Sequence, residues 1–285
     1  MLNQITPVIL TYNEAPNIGR TLDRLSWARD IVVVDSLSDD GTLEIISAFP
    51  NVRVYLRPFD NFASQWSFAV QQTEVRTEWI LGLDADMLVS DNFVAELEAL
   101  RPSENVAYRA PLTYCVYGKP LRSSLLPSLT VLYRRDATQF SADGHTYQIV
   151  LDGPVATLRS NVLHDDRKSL RRWYEAQCGY MQLEAAKLLA VDRQSLNFAD
   201  RIRRLRVVAP ASIFLYCLVK GGLFDGWSGI YYATQRAFAE LMLSLYLIEH
   251  DLQLRDINRK DLTEENRPHP TPMTASQPAD TAPAS

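Results

Sequence analysis

The triplet Asp84-Ala85-Asp86 places two carboxylates one residue apart, directly after the apolar run Trp79-Ile80-Leu81-Gly82-Leu83. Carboxylates at this spacing can share a divalent cation, because Mg²⁺ and Mn²⁺ take oxygen ligands and keep positions open for phosphate oxygens. An Asp-x-Asp triplet by itself reads more readily as a solvated acidic loop; its place at the end of a buried strand is what favours a metal. Asp35 has the same placement, closing the run Ile31-Val32-Val33-Val34, and the polar turn Thr11-Tyr12-Asn13-Glu14 closes Pro7-Val8-Ile9-Leu10. Ligands of open α/β sheets bind outside the carboxyl ends of the strands. Asp35, Asp84 and the Thr11 to Glu14 turn are therefore expected to open onto one crevice.

The elements that must position these groups follow from periodicity. Short runs that are apolar throughout imply strands buried on both faces, and they alternate with segments of helical spacing. Ile18, Leu22 and Leu25 share one helical face, with Pro16 suited to the first turn. Leu43 to Phe49 reads as a second helix, Val52 to Leu56 as a strand, and Ala63 to Thr73 as a helix. Together these predict an α/β fold with a mostly parallel sheet flanked by helices and right-handed crossovers. Asp91 is the expected N-cap of a helix over Phe93 to Leu100. Beyond it come β-like pieces at Ala107 to Tyr114, Thr130 to Tyr133 and Val155 to Leu158, then a long helix over Ser169 to Val191.

From residue 201 the composition changes. Arg201, Arg203, Arg204 and Arg206 precede the apolar run Val207 to Val219, which contains Pro210 and is too short to cross a hydrocarbon core of about 30 Å. A second apolar helical stretch, Ile230 to Ile248, follows Lys220-Gly221-Gly222. Arginines beside apolar helices suit the interface of an anionic membrane leaflet; the other reading is a helix pair packed on the catalytic domain or on a second subunit. The expected division is residues 1–200 as the catalytic α/β domain, 201–255 as an amphipathic, membrane-associated helical region, and 256–285 as a disordered tail rich in proline.

Composition narrows the classes further. The chain has 285 residues, with 47% hydrophobic and 22% charged side chains, enough for a full core. A net charge of −5 argues against nucleic acid as a partner. Cys115, Cys178 and Cys217 lie far apart without metal-ligand spacing, which suits reduced thiols in a cytoplasmic setting. Met1 to Gln4 carry no basic cluster, so no export signal is expected.

Three blocks, Val8-Ile9-Leu10-Thr11-Tyr12-Asn13-Glu14, Val32-Val33-Val34-Asp35-Ser36 with Asp40-Gly41-Thr42, and Leu83-Asp84-Ala85-Asp86, resemble the ordered motifs of family 2 glycosyltransferases with the GT-A fold. More loosely, Asp143-Gly144-His145-Thr146, His164 to Leu170 and Trp173 to Gln177 resemble the branch that includes lipopolysaccharide-core glycosyltransferases. The resemblance implies a nucleotide-sugar donor and a divalent metal, Mn²⁺ or Mg²⁺. It implies that Tyr12 stacks on the base within the turn of Thr11, Asn13 and Glu14, that Asp35 bonds the base, that Asp84 faces ribose and sugar, and that Asp86 binds the metal. His164 is similar to a further metal ligand of some relatives, or else is structural. Gln65 either touches the donor or is a surface polar group. The implied acceptor is a saccharide or lipid-linked saccharide, at the cytoplasmic face of a bacterial inner membrane.

An inverting transfer needs a base for the acceptor hydroxyl. Many relatives carry it in a Gly-x-x-His-Glu type of block, whereas here Gly144 leads to His145, Thr146, Tyr147 and Gln148, and an amide cannot take a proton. Asp143 and His145 are the nearest candidates, with Asp165 and Asp166 in reserve. Arg167, Lys168, Arg171 and Arg172 either meet a phosphate, an anionic acceptor or the membrane, or form a solvated helical face. The missing glutamate keeps a second class open, a non-catalytic nucleotide-sugar-binding member of a polysaccharide assembly. A nucleotidyltransferase is disfavoured because the turn after the first strand has no glycine to cradle phosphates.

Overall fold

The computed structural model describes residues 1–122, 124–143, 146–192 and 196–265. Three buried strands, β1 (Ile5–Thr11), β2 (Ile31–Asp35) and β4 (Trp79–Asp84), and the half-exposed edge strand β3 (Val52–Leu56) alternate with helices α1 (Ile18–Asp23), α2 (Thr42–Ile46) and α3 (Phe62–Gln71). β1 pairs in parallel with β2 on one side and β4 on the other, and β2 pairs in parallel with β3. The short strand β5 (Met87–Val89) leads into α4 (Asp91–Ala99). Ser90, not Asp91, caps that helix: its hydroxyl accepts from the Phe93 N–H, and Asp91 is the first helical residue.

The segment after α4 adds β6 (Ala107–Ala110), β7 (Leu112–Val116), β8 (Lys119–Pro120), β9 (Leu129–Arg134), β10 (Thr138–Asp143), β11 (Thr146–Leu151), β12 (Val155–Thr157) and β13 (Val162–His164). The apolar stretch expected as one piece from Ala107 is two strands. Pro111 lies between them, and the chain leaves the main sheet there for a second one. The main sheet has seven strands in the order β12-β6-β9-β4-β1-β2-β3. β9 runs antiparallel between β4 and β6, so the sheet is mixed but mostly parallel.

The sheet is covered on both faces. On one, Ile9, Ile31, Val33, Leu81 and Leu83 pack with Ile18, Leu22, Ile46 and Phe93. On the other, Val8, Val32, Val34 and Ile80 meet Trp66 of α3 and Tyr133 of β9. The β10–β11 hairpin closes this second face, with Phe140 stacked on Trp66 at 5.9 Å. Gly82 sits in β4 where Trp66 and Tyr133 converge: a Cβ there would lie 2.7 Å from the Tyr133 Oη and 3.2 Å from the Trp66 ring.

Four helices complete the chain: α5 (Leu170–Ala190), α6 (Phe198–Arg203), α7 (Val208–Cys217) and α8 (Trp227–Glu265). Pro210 falls in the first turn of α7, where a missing N–H leaves no bond unmade. The expected boundary at residue 200 shifts, because Met181, Ala185 and Leu188 of α5 form one core with Ala239, Met242, Leu243 and Leu247 of α8. α5 thus belongs to the C-terminal helical layer. The tail expected from residue 256 is helical over its first part: α8 runs to Glu265, and 266–285 lie outside the described residues. Among the described residues, no helix is long and apolar enough to cross a membrane.

Arg203 joins three helices. Its guanidinium lies 2.8 Å from Glu240, 3.2 Å from Glu184 and 3.4 Å from Asp200. Glu240 therefore pairs across helices.

Two outcomes follow for stability. Gly82→Ala overfills the contact with Trp66 and Tyr133 and is expected to cost about 1–3 kcal/mol in a urea melt. Arg203→Met removes the cation beside two buried carboxylates and is expected to cost about 3 kcal/mol, read as a lowered denaturation midpoint at unchanged slope.

Candidate active site

The register of the sheet brings the three expected motifs together. Thr11 is opposite Asp35 and Leu10 is opposite Asp84, so both aspartates flank the carboxyl end of β1. The turn after β1 is stitched to the turn after β2. The Asn13 N–H donates to the Ser38 hydroxyl at 2.7 Å, the Asp39 N–H to Asn13 Oδ1 at 2.8 Å, and the Glu14 N–H to the Thr42 hydroxyl at 2.8 Å. Asn13 and Leu37 hold left-handed backbone at φ 56° and 65°. These bonds bury Thr11 and Asn13 and leave the Tyr12 ring 57% exposed at the crevice mouth.

Asp35 is turned inward. It is wholly buried, its Oδ2 accepting from the Thr11 and Ser38 hydroxyls at 2.7 and 2.6 Å and its Oδ1 from the Ser38 N–H at 2.7 Å. In this structure those bonds occupy the carboxylate that was expected to meet a base. Gln65 is not the surface group of one expectation. It too is wholly buried, donating to the Ser36 hydroxyl at 3.0 Å and the Arg57 carbonyl at 3.2 Å and accepting from the Arg57 guanidinium. It ties the end of β3 to the turn after β2, from behind the crevice.

Asp84, Asp86 and Glu14 form an acidic group that burial makes costly. Burial pushes the Asp84 carboxyl up to about 6, the charge of Asp86 adding to the rise while His164 and Lys168 oppose it. Burial likewise pushes Glu14 up to about 7, Asp86 adding and Lys168 opposing. The Lys168 ammonium lies 2.6 Å from Glu14 and 3.3 Å from Asp166. Burial would lower its affinity for a proton, but Asp86, Glu14 and Asp166 outweigh that and hold it above its usual value.

His164 reaches this group through strand pairing. β13 runs antiparallel to β5, with His164 opposite Met87, and parallel to β7, with His164 opposite Tyr114. The Asp165 N–H donates to the Asp86 carbonyl at 2.9 Å. His164 Nε2 then lies 3.6 Å from Asp86 Oδ2, and the imidazole is stacked on Tyr114 at 5.2 Å and 17°. Asp86 Oδ1 and His164 Nδ1 are buried and make no hydrogen bond. Two ligand atoms 3.6 Å apart can share a cation about 2.1 Å from each. Among the described residues, no three His, Cys, Asp or Glu side chains could hold a metal between them. Asp86 and His164 supply two donor atoms that face each other at this rim.

The basic segment after His164 is largely internal. Asp165 accepts from the Gly118 N–H at 2.9 Å and lies 2.5 Å from Arg20 and 2.9 Å from Arg167. These partners outweigh burial and hold its carboxyl below the usual range. Asp166 is lowered as well: burial is outweighed by Lys168 and by Asn17, whose amide donates to Asp166 Oδ1 at 2.9 Å. Both reserves for the base are therefore held as salt-bridged carboxylates. Arg171 pairs with Glu175 on the helix surface. His145 lies outside the described residues. Asp143 ends β10 opposite Thr146, and the same hairpin carries Tyr147, whose hydroxyl is held protonated well above its usual range by burial and by Asp84.

Sequence reasoning missed Asn17. It is fully buried, donates to Glu14 Oε2 at 2.8 Å as well as to Asp166, and accepts the Arg167 N–H at 2.8 Å. It knits the first turn to the segment after β13. Tyr114 was missed in the same way, since its partners are remote in the chain, and Lys168, expected to meet a ligand, the membrane or solvent, pairs instead with Glu14 and Asp166.

The family model described as Glycosyl transferase family 2 matches residues 6–113, which hold the first three motifs. An uncharacterized glycosyltransferase of Rickettsia felis is 32% identical over 283 residues, 93% of this chain and 97% of that protein. The lipopolysaccharide core biosynthesis glycosyltransferase LpsC of Rhizobium meliloti is 29% identical over 86 residues, 29% of this chain and 31% of that protein. Matches to three other Rickettsia glycosyltransferases span only 35%, 49% and 50% of those proteins. The crystal structure of S. aureus TarS 1–349 in complex with UDP-GlcNAc aligns at a TM-score of 0.45 and 14% identity, over 88% of this chain and 92% of that one. That likeness is too low to transfer a ligand. The near full-length kinship with the Rickettsia felis protein, together with the motif-bearing match at the carboxyl ends of the sheet, places this chain in glycosyl transferase family 2.

Proposed function

We propose that the protein is a metal-dependent, inverting glycosyltransferase that moves a sugar from a nucleotide-sugar donor to a saccharide or lipid-linked saccharide of the bacterial envelope. One observation carries the reading. Asp86 Oδ2 and His164 Nε2 face each other at 3.6 Å, in a group where burial raises the carboxyls of Asp84 and Glu14 and the charge of Asp86 adds to the rise. A rim of this kind favours a divalent cation and the diphosphate that comes with it.

In this reading Asp86 and His164 would hold the cation. A bound Mn²⁺ or Mg²⁺ supplies Lewis-acid stabilisation to the charge that grows on the leaving diphosphate. Tyr12 offers a face for the base, and Thr11, Asn13 and Asp35 brace its turn. Asp84 faces the ribose and sugar. The acceptor hydroxyl oxygen attacks the anomeric carbon, the bond to the diphosphate oxygen breaks, and the hydroxyl proton passes to Asp143 or His145. The strand pair β10–β11, which ends at Asp143, packs on α3 through Trp66, Phe140 and Tyr147, and Tyr147 is close enough to Asp84 for their charges to interact. The envelope acceptor draws on the likeness to LpsC, a core biosynthesis glycosyltransferase by name.

A screen of nucleotide-sugars with Mn²⁺ tests the donor. The matching ligand at 100 times its Kd is expected to stabilise the fold by about 2.7 kcal/mol, seen as a raised Tm. No shift with any nucleotide-sugar overturns the reading. Asp86→Asn is expected to lower Mn²⁺-dependent turnover on the order of 10²-fold or more, at an unchanged melting point without metal. Unchanged turnover in that variant removes the metal role, and donor binding without turnover in the natural protein would instead favour the binding-only class.

A further inference from the structure

The α7–α8 hairpin presents apolar side chains outward in a way a solvated helix pair does not. Val208, Leu215 and Val219 recur at helical spacing along α7 and the turn that follows, and all are exposed. The stripe continues through Leu223, Phe224 and Trp227 at the bend, where Val219 is 84%, Phe224 78% and Trp227 85% exposed. The inner face is packed: Cys217, Tyr232 and Ala233 are buried with Val116 and Leu121. At the bend a Cβ on Gly229 would overlap the Gly222 carbonyl oxygen, so the two arms meet backbone to backbone. The bend is anchored, not loose. The Asp225 carboxylate accepts the Arg122 N–H at 2.9 Å, and its carbonyl accepts from the Lys119 ammonium at 2.6 Å.

Charge indicates what covers this face. The chain as a whole carries −5, yet residues 201–224 hold Arg201, Arg203, Arg204, Arg206 and Lys220 with no Asp or Glu; Arg203 is paired with Glu184 and Glu240 and Arg206 with Asp251, so the charge argument rests on the others. Around the bend, the Lys220 ammonium donates to the Ser124 carbonyl and the Arg122 guanidinium lies 6.0 Å over the Phe224 ring, contacts that leave both charges in place. Arg204 donates to the backbone carbonyls of Leu188 and Val191. An apolar stripe along a helix too short to span, ending in aromatic groups and flanked by cations, is the pattern of a segment lying in the interface of an anionic bilayer.

We infer that the outer face of the α7–α8 hairpin, from Val208 to Trp227, is a docking surface for an anionic lipid bilayer, with Phe224 and Trp227 entering the headgroup layer. The hairpin is joined to the crevice: Tyr232 of α8 packs on Tyr114 at 4.6 Å, and Tyr114 stacks on His164. The inner face of the hairpin is thus in packing contact with the His164 side of the site. The presentation of a lipid-linked acceptor there rests on the transfer reading, whereas the docking itself does not.

Co-sedimentation of the full chain with vesicles tests the surface. Binding to phosphatidylcholine vesicles containing phosphatidylglycerol is expected to exceed binding to pure phosphatidylcholine. The triple variant Val219→Ser, Phe224→Ser, Trp227→Ser is expected to weaken binding at least about tenfold, since each substitution withdraws apolar area from the bilayer. Its melting point is expected to match that of the natural protein, because all three side chains are exposed. Lys220→Glu, a second variant that keeps the stripe, is expected to reduce binding to the anionic vesicles alone. Natural protein that stays in the supernatant with both vesicles, or a triple variant that binds as the natural protein does, overturns the inference. Equal binding to both vesicles overturns its anionic part. A dimer in sedimentation velocity that the triple variant converts to monomer assigns the face to a second copy instead.

Discussion

Strand β1 is bonded along both edges to parallel partners, so the turns after β1, β2 and β4 must leave the sheet on the same side. Their polar residues are consequently crowded at one rim, and three of the crowded groups, Glu14, Asp84 and Asp86, are acids. Desolvation at such a rim works against ionisation, and each carboxylate makes its neighbours harder to ionise. Lys168 is the described cation that answers this charge directly, and it is placed by contacts to Glu14 and Asp166. The arrangement retains an acidic excess, which is the electrostatic condition for taking up a divalent cation with its anionic ligand.

The second requirement is a means of bringing the segment from His164 to Lys168 to that rim. β13 does this by pairing with β5 on one side and β7 on the other, so His164 is set across from the residue that follows Asp86. Asn17 then bonds Glu14, Asp166 and the Arg167 backbone at once. Arg20 and Arg167 close on Asp165 beside it. Charges that look in isolation like a basic patch for ligands are spent on fixing the segment. The two buried atoms left without partners, on Asp86 and His164, lie within this braced frame.

The C-terminal helices form a layer of their own that still reaches the site. Arg203 holds Glu184 and Glu240 together across α5, α6 and α8, and Tyr232 transmits the packing of α8 to Tyr114 and so to His164. The inward faces are fully engaged, and the apolar surplus of the α7–α8 hairpin is turned outward.

Much of this could be read from the chain alone. Runs such as Ile31 to Val34 and Trp79 to Leu83 admit only strands buried on both faces, and a parallel sheet built from them puts Asp35 and Asp84 at one end, because strand direction is fixed by connectivity. The apolar content of residues 207–219 likewise marked a segment with unusual surroundings. What folding alone decided were the interactions between residues far apart in sequence. Asn17 and Asp166 are 149 positions apart, Glu14 and Lys168 are 154, and no local pattern encodes either pair. The inward turn of Asp35 onto Thr11 and Ser38, the burial of Gln65, and the division of α7 into a packed and an exposed face are also tertiary outcomes. Local sequence sets backbone preference and periodicity, but which polar groups satisfy one another in a dehydrated interior depends on which strands and loops become neighbours.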